Sequence, residues 1–388
     1  MKTIKNTVLK LLPLSASHGL MHILATALPA LSLLVKDEFQ LTNTTVGVLS
    51  FAFAAAIGFG GIPSGMLSDR FDGIKLISIG FFSTALLSAF LLCTRNFLSI
   101  ALIFIAIGFF LSLYHPSALS YIAKSFRDTR GKAYGVHEIG ASIGIAIAPL
   151  IAGFICLYYG WRFVYPVLAF PAIILALLLI RLQSNRKWAR KKQISEVQSN
   201  ANDLKVFLRQ ITRTSSIRKI YITECIFGFV FVGALTFVPV FLDEAKGLGP
   251  ALAITVTCVF TAGGAIGKVI GGHFSDLIGE RKVMTIGFFL TTPLFFILPL
   301  LPLSWAILTL ALAGTIFPTV LSAIITAVGR EIEPSRAGIA FGFLLLAGFG
   351  FGSISPLILG LVSDSLGISA VFYPIVIAIL IGGILNST

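Results

Sequence analysis

The chain has 388 residues, of which 56% are hydrophobic and only 12% charged, and its formal net charge is +13. An average soluble domain carries about twice that share of charged side chains, and a soluble surface cannot be assembled from so few polar groups. A soluble enzyme, a disordered chain and a free nucleic-acid binder are thereby excluded, and the positive charge, which falls between long apolar runs, belongs at a membrane surface.

The apolar runs are continuous rather than alternating and about 20 residues long, the signature of membrane helices and not of barrel strands. The chain opens on a short basic stretch, Met1 to Lys10, and the run after it continues too long for a cleavable leader. The first expected span, over 11–35, carries His18 and His22, which share one helix face because they are four residues apart. The second, over 44–67, ends in Gly65-x-x-x-Asp69-Arg70, and the third covers 76–94. The fourth, 97–122, contains a His115-Pro116 step, and the fifth, 132–157, contains His137 and Glu138. A sixth runs over 161–182. Residues 183–218 are polar and basic and read as a cytoplasmic linker, with a polybasic lipid-binding segment as the alternative.

Six more spans follow, over 219–242, 250–273, 283–301, 304–328, 336–361 and 369–386. Glu224 lies in the seventh span and Lys268 in the eighth, and a Phe317-Pro318 step marks the tenth. The cysteines Cys93, Cys156, Cys225 and Cys258 all fall inside apolar runs without metal spacing, and read as small buried side chains. The expected fold is therefore an all-α membrane protein of twelve transmembrane helices, with an N-terminal six-helix bundle over 1–182 and a C-terminal one over 219–388.

Lys and Arg orient it. With both termini in the cytoplasm, 24 of the 29 basic residues face inward, and Lys36, Arg95, Arg162 and Lys246 face outward. The halves also repeat. Gly65 and Asp69 recur as Gly272 and Asp276, and Gly135, Pro149 and Gly153 recur as Gly342, Pro356 and Gly360, each 207 residues on. Parallel repeats of six spans imply two bundles related by a pseudo-two-fold axis, with a path between them that opens alternately to either side.

With these features the chain resembles the major facilitator superfamily of secondary transporters along its whole length. The most specific element runs from Gly272 through Asp276 and Gly279 to Arg281 and Lys282, matching the family's loop motif. The first-half copy, Gly65 to Lys75, departs from it, with Asp72 where glycine is expected. The resemblance implies a cytoplasmic gate in which these loops meet basic residues, with Arg127, Arg130 and Arg336 as partners. Tight charged turns without a gating role are the alternative. In the fifth span, Gly135-x8-Gly144-x3-Ala148-Pro149-x2-Ala152-Gly153 looks like the signature of exporters that exchange solute for protons, with Ala at 148 and 152. The arginine such drug exporters carry within the fourth span is missing, since Arg95 precedes it.

Ionisable side chains inside a membrane are costly and are functional candidates. His18, His22, His115, His137 and Glu138 crowd the first half, while the corresponding second-half positions are apolar or Cys225. At about 1.5 Å per residue, His18, His115 and Glu138 lie roughly 10 Å deep and His22 about 16 Å. In the resembled fold the first and fourth spans line the cavity and the fifth adjoins them, which lets these residues meet in one cluster, but the sequence alone does not tell whether they do. Histidine titrates near neutral pH, which suits a proton relay; buried rings bonded to serine or carbonyl groups are the bland alternative. His137 also reads as interfacial. Ligation of a metal by His, His and Glu is conceivable, but no further donor completes a set, and neither a metal nor a cofactor is assigned. Glu224 either binds a cation or proton, or pairs with Arg218 or Lys219. Lys268 either meets an anionic solute or reaches to the inner face. Phe51, Phe53, Phe231 and Phe237 are candidates for an apolar cavity wall.

No H-E-x-x-H or P-loop occurs, and the one G-x-S-x-G, Gly140 to Gly144, lies inside an apolar run and not at a strand-to-helix turn, so an enzyme is not expected. The reading is a monomeric transporter in the cytoplasmic membrane. It moves a small organic solute by alternating access, outward in exchange for protons. The alternative is a proton-coupled importer of an organic anion, amino acid or metal chelate.

Overall fold

The computed structural model describes residues 2–126, 130–184, 201–332 and 337–387. Among them there is no strand, and twelve helical spans are long and apolar enough to cross a bilayer. Spans 1 to 6 are Leu11–Phe39, Asn43–Ser68, Gly73–Leu91, Phe97–Ile122, Ala133–Tyr159 and Trp161–Leu182. Spans 7 to 12 are Ser215–Glu244, Pro250–Ile278, Glu280–Leu300, Leu303–Glu331, Ile339–Leu366 and Ile368–Ser387. The protein is a multi-pass membrane protein with two bundles. Each has its own core, one drawn from Leu11 to Leu179 with Ile254 of the second half, the other from Phe207 to Ile379 with Leu33 of the first. Large apolar side chains such as Phe170 (71% exposed) and Val269 (74%) point outward, as a lipid-facing surface requires.

The ends of the spans have local causes. Span 3 starts at Gly73, three residues before the expected 76, because the Asp72 carboxylate accepts hydrogen bonds from the amides of Ile74 and Lys75 and caps the helix. The equivalent turn in the second half is made by Gly279 at φ +88°, with no side-chain cap. The motif's departure at residue 72 thus closes the same turn by a different device. Gly160 and Gly367, again 207 apart, take φ +85° and +88° at the turns before spans 6 and 12.

Four spans are interrupted. Span 4 breaks at Ser112–Leu113 and restarts as Tyr114–Ser125; span 10 breaks at Phe317 and restarts on Pro318. Span 8 breaks at Thr257, and span 11 passes through a π segment, Leu346–Phe351, and a 3-10 turn, Gly352–Ile354. Span 5, the repeat partner of span 11, is one continuous helix. The repeat therefore holds for topology and for the breaks in spans 4 and 10, but not for the local helix geometry of spans 5 and 11 or of spans 2 and 8.

The 183–218 segment is only partly described. Residues 201–213 form an amphipathic helix whose Phe207 is fully buried, 6.0 Å from the Tyr221 ring and 5.3 Å from that of Phe343. The end of the basic segment therefore packs against the second bundle.

In lipid the hydrophobic effect does not hold helices together, and close backbone approach takes its place. Span 2 lies along span 11, where a Cβ on Gly47 would fall 2.1 Å from the Pro356 oxygen and one on Gly58 2.2 Å from the Gly350 nitrogen. Span 5 meets span 8, where a Cβ on Gly153 would fall 2.1 Å from Thr255 Oγ1. The 207-residue offset carries the pairing of spans 2 and 11 into that of spans 8 and 5, and it converts the contact of Gly360 with Thr44 into that of Gly153 with Ala251.

Candidate functional site

Spans 1 and 5 run unusually close. A Cβ on Gly140 would lie 1.8 Å from the Ser15 carbonyl oxygen, and one on Gly144 2.1 Å from that of Gly19. Ser15 Oγ donates to the Val136 carbonyl at 2.7 Å across the same seam. The break in span 4 brings Tyr114 into it, and the Tyr114 hydroxyl donates to the Leu14 carbonyl at 2.7 Å. Gly144 of the exporter-like motif thus makes room for the seam that gathers the histidines. Gly153 serves the contact with span 8, whereas Gly135 is exposed, and a Cβ there would meet nothing within 4 Å.

His18, His22, His115 and His137 form one cluster. The rings of His18 and His137 stack at 4.0 Å, 11° from parallel, and Tyr114 also stacks on His18, at 5.3 Å. His22 and His115 lie 4.8 and 5.0 Å from His18 and 5.3 Å from each other, with inclined rings. His18 Nδ1 is 3.1 Å from the His137 carbonyl oxygen and 3.8 Å from Glu138 Oε1. His18 Nε2 and both nitrogens of His137 are buried without a partner among the described residues. His137 is fully buried inside the bundle. Two overlapping sets, His18/His22/His115 and His18/His137/Glu138, bring ligand atoms within 4.8 Å of one another.

The cluster forms one wall of a cavity of about 440 Å³ between the bundles. His22, His115 and Glu138 face it from the first half, and Glu224 and Lys268 from the second. Lys268 is near enough to Glu138, His22 and His115 to interact electrostatically with each. It makes no ion pair within 4.0 Å among the described residues. Its side chain therefore lines the cavity instead of reaching for the end of the bundle. Glu224 is buried, one of its carboxylate oxygens lacks a partner among the described residues, and the bare backbone of Gly348 in the π segment leaves it room. Arg218, offered as a partner of Glu224, donates instead to the Thr212 carbonyl at 2.9 Å. Phe53 and Phe231 line the cavity, while Phe237 is sunk in the second core. Where the first half has imidazoles the second has stacked phenyl rings, Phe227 and Phe317 at 4.5 Å.

Bonds across the halves gather at the end carrying the loops after the odd-numbered spans. The Asp364 carboxylate accepts from the amides of Asn43 at 2.9 Å and Thr44 at 2.8 Å, at the start of span 2. This places a negative group on a helix N-terminus. Asn43 Nδ2 donates to Ser363 Oγ at 2.9 Å, and Lys36 pairs with Glu244. Nearer mid-height, Thr261 Oγ1 donates to the Ala146 carbonyl at 3.2 Å. The cavity extends toward the opposite end, past Leu119 and Tyr134 to Ile325 and Gly329. Trp161 and Arg162, at the start of span 6, both hold Glu38.

At that opposite end Asp276 and Glu280 meet Arg330, at 3.5 and 2.6 Å. Arg281 Nε donates to the Asn386 carbonyl at 2.9 Å, while Arg70 and Lys282 are exposed. Arg127 and Arg336, and the side chains of Asp69 and Arg130, lie outside the described residues. Sequence reasoning misses Arg330 and Asp364 as partners. Arg330 enters it only as one inward basic residue. Asp364 has Leu157 at its repeat position, and that break in the repeat is the available signal.

Comparison with known proteins agrees with this architecture. The family described as Major Facilitator Superfamily matches residues 17–356, with a second match over 245–387. The fosmidomycin resistance protein of Escherichia coli K12 is 24% identical over 360 residues, 92% of this chain and 87% of that protein. The cis,cis-muconate transport protein of Acinetobacter baylyi is 23% identical over 263 residues, 65% of this chain and 62% of that protein. Among solved structures, a bacterial homologue of the human lysosomal transporter Spinster, inward-facing and unoccupied, superposes with a TM-score of 0.81 at 18% identity. It covers 98% of this chain and 96% of that one.

Proposed function

Because the chain belongs to the major facilitator superfamily, whose members are transporters and not enzymes, we propose that it is a proton-coupled exporter of a small organic solute in the cytoplasmic membrane. Bundles 1–182 and 219–388 rock about the cavity, joined by the 183–218 linker. One chain holds the whole cavity, so the monomer is the working unit. The observation that carries the reading is that titratable groups of both bundles face one largely apolar space, His22, His115 and Glu138 on one side and Glu224 and Lys268 on the other. Burying such groups is costly unless they work.

Exchange follows when solute and proton compete for one group. Glu224 suits this, with a buried oxygen that has no partner among the described residues. A donor on the solute occupies the carboxylate or a proton does, and each expels the other. The imidazoles beside Glu138 provide the proton path. The end bearing 24 of the 29 basic residues is cytoplasmic in this reading. The cavity then opens to the cytoplasm, and the Asp364 and Lys36–Glu244 contacts seal the outside. The exporter-like motif of span 5 and the likeness to a resistance protein support outward transport.

Lys268 favours a second reading, import of an organic anion. A proton on Glu138 removes the carboxylate that competes for Lys268, so proton and anion bind together. The test is flux in proteoliposomes under an imposed pH gradient, with fosmidomycin and cis,cis-muconate as first probes within a metabolite panel. Export requires that inward proton movement drive solute out and that Glu224→Gln remove the dependence. Gradient-driven flux undiminished in both Glu224→Gln and Glu138→Gln overturns the coupling assignment. Solute moving with the protons selects the second reading.

A further inference from the structure

We propose that His18, His22 and His115 form a binding site for one divalent first-row transition cation, of the Zn²⁺ or Co²⁺ class, on the cavity wall. Imidazole nitrogen is a common ligand for these ions. The three residues each bring a ring nitrogen within 4.8 Å of the others. A tetrahedral ion takes imidazole nitrogens at about 2.0–2.1 Å and so spaces them roughly 3.4 Å apart. The closure needed, about 1.4 Å, lies within reach of χ rotations of His22 and His115, which border the open cavity.

His18 has one ring nitrogen engaged and the other open to a ligand role. Its Nδ1 lies 3.1 Å from the His137 carbonyl oxygen, a geometry for an N–H donor, and Glu138 Oε1 stands 3.8 Å away. A hydrogen bond from the far ring nitrogen to a carbonyl or carboxylate fixes the tautomer of a metal-ligating histidine and leaves the other nitrogen as lone pair. That other nitrogen, Nε2, is buried with no partner among the described residues. A polar atom left so is unfavourable unless something binds it. Span 1 supplies two ligands on one face, His18 and His22, and the helix restart at Tyr114 supplies the third.

The overlapping set of His18, His137 and Glu138 is the weaker choice. The His18 and His137 rings are stacked 11° from parallel, so their in-plane lone pairs do not converge, and His18 Nδ1 is engaged. The rings of the proposed set are inclined by 48°, 85° and 68°, which lets their lone pairs meet. Glu138 offsets the charge that the ion adds next to Lys268. Three protein ligands leave one position, on the cavity side, for water or a donor atom of a solute.

The test is a titration of the full-length protein in detergent, free of any histidine tag, with Co²⁺ followed by its visible absorption, then displacement by Zn²⁺. The expected result is one saturable equivalent with the intense bands of low-coordinate Co²⁺. His22→Ala and His115→Ala should each weaken binding about tenfold or more, and His273→Ala, at an exposed histidine outside the cluster, should leave it unchanged. His22→Gln and His115→Asn replace any alanine variant that does not fold. Absence of saturable binding, or unchanged affinity in the variants at both positions, overturns the site. The titration needs no transport, so it fails or succeeds independently of the flux experiment.

Discussion

Gly135 and Gly144 belong to one motif but meet different surroundings. A Cβ on Gly144 would sit 2.1 Å from a backbone oxygen of span 1, which cannot rotate away, and one on Gly135 would meet nothing within 4 Å. Gly144→Ala must push spans 1 and 5 apart, and overpacking of this kind costs about 1–3 kcal/mol. It should lower the melting temperature in detergent by several degrees and, through His18 and His137, disturb the histidine cluster. Gly135→Ala should hold or raise the melting temperature, since alanine is the better helix former by about 1 kcal/mol. Equal damage from both would mean that the motif acts as a unit and not through its contacts in this conformation. A second pair tests the two ways of closing one turn. Asp72→Ala removes a side-chain cap, worth about 1 kcal/mol, and Gly279→Ala forces a side chain into φ +88°, at a cost of about 1–2 kcal/mol. Both should appear as small losses in thermal unfolding, whereas Asp72→Asn, which still caps, should show little.

At the scale of the elements, the existence and number of the spans were legible because length and apolarity are set by the bilayer itself. The segments 11–35 and 97–122 needed no tertiary information to be read. What stayed hidden depends on partners remote in sequence. The π segment of span 11 is one case: it lies where Gly348 accommodates Glu224, and nothing in Leu346–Phe351 alone announces it. Phe207 is another, since the lone aromatic of residues 201–213 looks like a surface residue until its contacts with Tyr221 and Phe343 are seen. Phe207→Ala should cost several kcal/mol, up to the roughly 3–5 typical of a buried phenylalanine, and be measurable as a drop in melting temperature. A drop no larger than that of an exposed neighbour such as Leu208→Ala would show that the docked helix adds no stability. In the site, the histidines and Lys268 were legible as costly residues in apolar runs, but their convergence was not. It rests on the close seam of span 1 with Gly140 and Gly144 and on the break before Tyr114.

On the scale of the molecule, the two bundles touch through matched glycine contacts, and the polar bonds between them gather at one end. Asp364 makes two charge-assisted bonds to the start of span 2, a stronger class than neutral ones. Asp364→Ala should therefore weaken the seal without touching the cavity and move the population toward a state open at that end. A single cysteine placed at Thr44, in a background without the native cysteines, should then react faster with a membrane-impermeant maleimide. Unchanged labelling would show that the seal is held by the other contacts at that end, Asn43–Ser363, Lys36–Glu244 and the close approaches at Gly47 and Gly360.

The most direct test of alternating access joins the halves at the closed end. Lys36 and Glu244, paired across the bundles, are replaced by cysteines and bridged with a cleavable bifunctional thiol reagent, and solute flux in proteoliposomes is measured before and after the bridge is reduced. Rocking bundles predict that the bridge stops flux and that reduction restores it. Flux that continues at full rate with the bridge intact would contradict it.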